Sequence, residues 1–148
     1  MLTPTRILVP TDFSEYSNRA LEQALDIAKE YNAKVLLLHV IHEQAHHTAT
    51  DLTLSEEVIE KINNEALAWS EENLRRQLSG FPQAQEVDVA TSIRRGIPYD
   101  EILKEGKEKG VDLIVIASLG RSGIARYLIG SVARNVLKGS KCPVLLTK

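Results

Sequence analysis

Val111-Asp112-Leu113-Ile114-Val115-Ile116-Ala117, then Ser118-Leu119, then Gly120-Arg121-Ser122-Gly123-Ile124-Ala125-Arg126-Tyr127-Leu128-Ile129-Gly130-Ser131: the reading of this stretch decides the fold. The first part is an apolar run rich in β-branched residues, the second a basic loop punctuated by glycines, and Gly130-Ser131 restarts the chain as a helix. A strand that ends in such a loop and passes into a helix presents free backbone N–H groups where a phosphate can sit. A surface connection that merely turns the chain uses the same residue types, so the rest of the sequence has to decide.

Working outward, the same alternation recurs. Arg6-Ile7-Leu8-Val9-Pro10 reads as a buried strand that stops at the proline. Ser14 and Glu15 open a helix whose Ala20, Leu21, Ala24, Leu25, Ile27 and Ala28 share one face, with Asn32 as its stop. Ala33 to Ile41 is a near-continuous apolar run, as a strand buried on both faces requires. His42 to Thr53 is a polar loop; with His39 just before it, it holds His42, His46 and His47 at no recognised ligand spacing, and predicts no metal site. Ser55 caps a long helix with Val58, Ile59, Ile62, Ala66, Trp69, Leu74 and Leu78 on one side, which makes Trp69 a core anchor. Glu86 to Ile93 alternates and predicts a half-exposed edge strand. Gly96-Ile97-Pro98 turns into a helix that ends at Lys109-Gly110. Val111 to Ala117, the most apolar strand, is expected at the centre of the sheet. After the loop, a helix from Gly130-Ser131 turns Val132, Ala133, Val136 and Leu137 inward, and Cys142-Pro143-Val144-Leu145-Leu146 closes the chain as a last strand. Cys142 reads as a buried small apolar residue without a redox role.

Composition bounds the function. A chain of 148 residues is expected to form a single domain over its whole length, 1–148, and to bury roughly two thirds of its unfolded surface. A net charge of -2 leaves no overall footprint for nucleic acid. One cysteine suits a reducing compartment, and no apolar run reaches bilayer length. These features predict a cytoplasmic protein with neither nucleic-acid nor membrane partners.

Strands and helices in strict alternation predict a doubly wound α/β domain with a five-stranded parallel sheet. The common orders are 2-1-3-4-5 and 3-2-1-4-5; an alternating third strand at the edge favours the second. Strands one and four are then neighbours at the switch point, where ligands bind beyond the strands' carboxyl ends. Pro10-Thr11-Asp12 and the loop from Ala117 to Ser131 would make that site. Gly120 and Gly130 admit a close approach, and Ser131 and Val132 offer N–H donors. Arg121 and Arg126 add charge or are merely solvated. Asp12 suits ribose hydroxyls, a base amino group or a phosphate-bound divalent ion, and serves equally well as a turn or helix cap. No P-loop lysine signature is present, and no histidine stands near the loop, so no catalytic residue is assigned.

At these residues the chain resembles the universal stress protein family. The similarity runs along nearly the whole sequence: Ile7-Leu8-Val9-Pro10-Thr11-Asp12-Phe13-Ser14, Leu38-His39-Val40, Asp112-Leu113-Ile114-Val115, Gly130-Ser131-Val132-Ala133 and Cys142-Pro143-Val144. The resemblance implies a Rossmann-like fold of the adenine nucleotide alpha hydrolase type with order 3-2-1-4-5, and a homodimer paired through the last strand, Val144–Leu146. In one branch it implies ATP, or its relatives ADP and AMP, bound with Mg or Mn. That branch carries glycine, two residues, glycine, nine residues, then glycine with serine or threonine. Gly120, nine residues and Gly130-Ser131 match it, while Ala117 replaces the first glycine and Leu119 stands at an often polar position. By the same resemblance Pro10, Thr11, Asp12 and Val40 surround adenine and ribose, and Ala117, Gly120, Gly130, Ser131 and Val132 surround the phosphates. No metal is expected on protein ligands alone; Asp12 would reach one only through the nucleotide. The chain is thus expected to be an ATP-binding regulatory module of the stress response. A nucleotide-free dimer acting through its surface, favoured by Ala117, and a slow ATPase are the alternatives.

Overall fold

The computed structural model describes residues 2–43, 54–120 and 129–148. Five parallel strands form one sheet in the order β3-β2-β1-β4-β5. They are β1 (Arg6–Pro10), β2 (Lys34–His42), β3 (Asp88–Gly96), β4 (Leu113–Ala117) and β5 (Val144–Thr147). Helices α1 (Glu15–Tyr31), α2 (Glu56–Ser79), α3 (Pro98–Glu108) and α4 (Ser131–Gly139) connect them. The order is the one that an alternating third strand favours, and β3 lies at the edge. The centre belongs to β1, however; β4 is interior, between β1 and β5. Apolarity reports burial on both faces, and every interior strand shares that, so it does not single out the middle one.

Period-two alternation sends each interior strand's side chains to two cores. Ile7, Val9, Val35, Leu37, Leu113 and Val115 pack with Ala20, Leu21, Ala24 and Leu25 of α1 and Leu74 of α2. Leu8, Leu36, Leu38, Ile114 and Ile116 pack with Ile102 of α3 and Ala133 and Val136 of α4. Ser14 caps α1 by accepting the Ser17 N–H at 3.2 Å, and Asn32 ends the helix at φ 54. Gly110, at φ 64, follows the end of α3 in the left-handed region that favours glycine.

Several details differ from the sequence expectations. A 3-10 turn, Pro82–Glu86, precedes β3, which then runs to Gly96 rather than stopping at Ile93. Val132 and Leu137 are 36% and 45% exposed, because a nine-residue helix buries only the narrow face of Ala133 and Val136. Cys142 is half-buried. Trp69 is 49% exposed rather than a core anchor: α2 meets the sheet through Ser70 and Leu74, a face turned away from the row that holds Val58, Ile62 and Trp69. Of the histidine loop, His42 ends β2, whereas His46 and His47 lie outside the described residues. No described helix is long and apolar enough to cross a membrane.

Candidate functional site

Beyond the carboxyl ends of β1 and β4 the chain reverses its direction across the sheet, and a cavity of about 290 Å³ opens there. Pro10 lines it from the end of β1, Thr11 and Asp12 from the β1–α1 turn, and Val40 from β2. Ala117 and Gly120 line it from the end of β4, and Gly130, Ser131 and Val132 from the start of α4. All the candidate residues in the described parts of the chain therefore meet at one cavity. Arg121 and Arg126 lie outside the described residues.

The β1–α1 turn is held from several sides. Thr11 N–H donates to Leu38 O at 2.8 Å. Its hydroxyl lies 2.9 Å from Gln77 Oε1 of α2 and 3.0 Å from Ser17 Oγ, and it accepts the Phe13 N–H at 3.0 Å. That hydroxyl is committed to the turn, so only the rest of Thr11 is available to a ligand. Asp12 Oδ1 accepts the Ser14 N–H at 3.0 Å, which is the turn role the sequence allows. A Cβ built on Gly120 would come within 3.2 Å of Asp12 Oδ2, so a larger residue there would push that carboxylate aside. Phe13 sits at φ 64, a conformation that costs a non-glycine residue about 1 kcal/mol. Its ring stacks on His39 with centroids 4.4 Å apart, and Trp69 meets it edge-on at 5.4 Å.

His39 is a lining residue that sequence reasoning missed as such. Its Nδ1 lies 2.9 Å from Thr11 O, tying β2 to the turn. A histidine does stand at the site, supplied by β2 and not by the loop. Ser17, Pro98, Ile102 and Ser118 also line the cavity. The only signal for these in the sequence was their position at the carboxyl ends of strands or the starts of helices.

The other wall is the start of α4. Gly130 N–H donates to Ser118 O at 2.6 Å, folding the end of the loop back on β4. A Cβ on Gly130 would lie 3.2 Å from that same oxygen. No side chain caps α4, and its first turn holds no acidic residue. Helix geometry leaves the first N–H groups, beginning at Ser131 and Val132, without a partner inside α4, and both residues line the cavity.

Ala117 departs from the glycine pattern, yet it is an ordinary strand residue without positive φ. It follows Leu113 and Val115 in alternation and packs against the core on the α1 side. Alanine here costs no backbone strain. Leu119 lines the cavity as well. Asp12 is the single carboxylate on the lining, and the described residues contain no cluster of three metal-ligating side chains.

Residues 4–148 match the profile of the "Universal stress protein family". Universal stress protein YxiE of Bacillus subtilis is 38% identical over 149 residues, covering 97% of this chain and 98% of its own. The universal stress protein UspA from Lactobacillus plantarum superposes with a TM-score of 0.84 at 26% identity, covering all of both chains. A universal stress protein solved in complex with cAMP superposes at 0.70 with 26% identity, covering 99% of this chain and 98% of its own. A match over nearly the whole length, with a fold that superposes on solved universal stress proteins, leads to one conclusion: the chain belongs to the universal stress protein family.

Proposed function

We propose that the protein binds an adenine nucleotide, with ATP as the principal ligand and ADP or AMP as alternatives, and works as a homodimeric regulatory module of the stress response. The observation that carries this reading is the start of α4. Ser14 and Ser55 cap α1 and α2, and all three of α1, α2 and α3 have acids in the first turn. Only α4 among the described α-helices has neither, and it is the one that opens on the cavity. Such an end favours a phosphate through its N–H groups and its dipole. The relative in complex with cAMP supports adenine as the base.

In this reading Pro10, Thr11, Asp12 and Val40 surround adenine and ribose, and Ala117, Gly120, Gly130, Ser131 and Val132 surround the phosphates, with Arg121 adding charge. A cavity of about 290 Å³ suits the nucleoside portion. A single carboxylate, Asp12, fits a Mg²⁺ or Mn²⁺ ion that is held mainly by phosphate oxygens and waters. That ion would neutralise phosphate charge. The dimer forms through β5, whose Leu145 is 37% exposed at an unpaired sheet edge.

Isothermal titration with ATP, ADP, AMP and cAMP, each with and without Mg²⁺, tests the binding. Saturable heat is expected, together with a thermal shift; nucleotide at about 100 times its Kd adds about 2.7 kcal/mol of stability. No heat and no shift at millimolar nucleotide would overturn the reading in favour of the nucleotide-free dimer.

A further inference from the structure

Between Glu56 and Trp69 every residue of α2 except Ala66 is exposed, and the helix enters the core only from Ser70 and Leu74 onward. Its apolar side chains in this half form a row. Ile59, Ile62, Ala66 and Trp69 follow one another at steps of three, four and three residues, the spacing of a helix–helix seam, and Val58 stands beside them. Val58, Ile59 and Ile62 are 41, 40 and 51% exposed. Single exposed apolar residues are ordinary, but a contiguous row marks a surface that something covers. Trp69 closes the row against Phe13 and His39, so the open part is Val58, Ile59 and Ile62.

Charge decides what fits there. The positions flanking the seam are Glu56, Asn63, Glu65 and Ser70, and the rest of this half adds Glu57 and Glu60 against Lys61 alone. None of these glutamates has an ion pair among the described residues, whereas Glu72, in the second half, is bound by Arg75 and Arg76. Arg95 of β3 donates to Asn63 Oδ1 at 3.1 Å and is the one cation held on a flanking position among the described residues, so a second copy of this surface brings a single cation against Glu56 and Glu65 and self-pairing leaves carboxylates in excess. A helix that carries Lys or Arg beside its own apolar seam covers the row and neutralises the flanks together. We propose that the first half of α2 is a docking surface for a basic amphipathic helix of a protein partner.

Two labelled synthetic peptides, identical in an Ile/Leu seam and flanked either by Lys or by Glu, test this on the full chain by fluorescence anisotropy. The Lys-flanked peptide is expected to bind at least tenfold more tightly than the Glu-flanked one. Ile62→Glu is expected to cost at least tenfold in that affinity with little change in Tm. Glu65→Lys, on an exposed residue that touches no core, is expected to narrow the preference between the two peptides several-fold. Equal binding of both peptides, or binding indifferent to Ile62→Glu and Glu65→Lys alike, would overturn the proposal. So would wild-type self-association abolished by Ile62→Glu, which would assign the surface to a second copy. A fall in Tm of many degrees in Ile62→Glu would likewise overturn it, by showing that the chain itself covers the row.

Discussion

Asp12 has two oxygens in different surroundings. Oδ1 accepts the Ser14 N–H, and Oδ2 stands beside the approach of Gly120. Asp12→Asn keeps an acceptor for the turn while removing the charge, so it separates the two uses. The expected outcome is a Tm close to wild type with a loss of about tenfold in Mg-ATP affinity by titration calorimetry, a difference of about 1.4 kcal/mol. At the opposite end of the sheet, Asp112 is a purely structural carboxylate. Burial pushes its pKa up, but hydrogen bonds from the Thr5 hydroxyl and from the N–H groups of Arg6 and Thr5 outweigh burial and hold it below the ordinary 3.8. A carboxyl depressed by folding contributes stability that is complete above its unfolded pKa and is lost as pH falls through its folded pKa. Asp112→Asn is therefore expected to be about 1–2 kcal/mol less stable than wild type at pH 6 in urea denaturation. The gap should narrow as pH falls below 3.8 and through the depressed native pKa, where the native carboxyl becomes neutral as well.

Helix α3 is clamped to the edge strand by one guanidinium. Arg94 of β3 reaches Glu101 at 2.7 Å, Glu105 at 3.0 Å and Glu108 at 2.9 Å, and the side chain of Glu105 is only 4% exposed. Arg94→Met leaves that buried carboxylate without its cation, at an expected cost of about 3 kcal/mol. Combining it with Glu105→Gln should recover a good part of that loss in a double-mutant cycle. The existence and type of the elements were legible in the sequence because strands buried on both faces read as unbroken apolar runs, and because Ser14, Asn32, Ser55 and Gly110 mark helix ends. What was not legible depends on how elements sit against one another. The row on α2 has the period of a buried stripe, which puts Trp69 in the core, but the helix rests on a different face and leaves it half-exposed. The 3-10 turn at Pro82–Glu86 likewise arises from a local turn that alternation alone does not signal.

At the scale of the whole molecule, the strand order brings the β1–α1 turn and the β4–α4 loop to one cavity, although more than 100 residues separate them in sequence. The site was legible to this extent: once β1 and β4 are neighbours, their carboxyl ends must converge. His39 was missed because only the fold carries β2's end to the same place. The two sheet edges differ in character. Edge strand β3 carries Asp88, Arg94 and Arg95, whereas β5 is Val144-Leu145-Leu146-Thr147. Charges on an edge oppose strand addition and apolar edges invite it. For the proposed β5 dimer, light scattering is expected to give a dimer mass for the wild type and a monomer mass for Leu145→Lys, with the proposed nucleotide affinity retained where the pocket is complete within one chain. Finally, Trp69 is the single indole of the chain, half in water and edge-on to Phe13 and His39 beside the cavity. The protein therefore carries its own unlabelled optical gauge of the β1–α1 turn. Its emission should change on addition of ATP with the same midpoint as the calorimetric titration, and Trp69→Phe should silence the signal while leaving the heat in place.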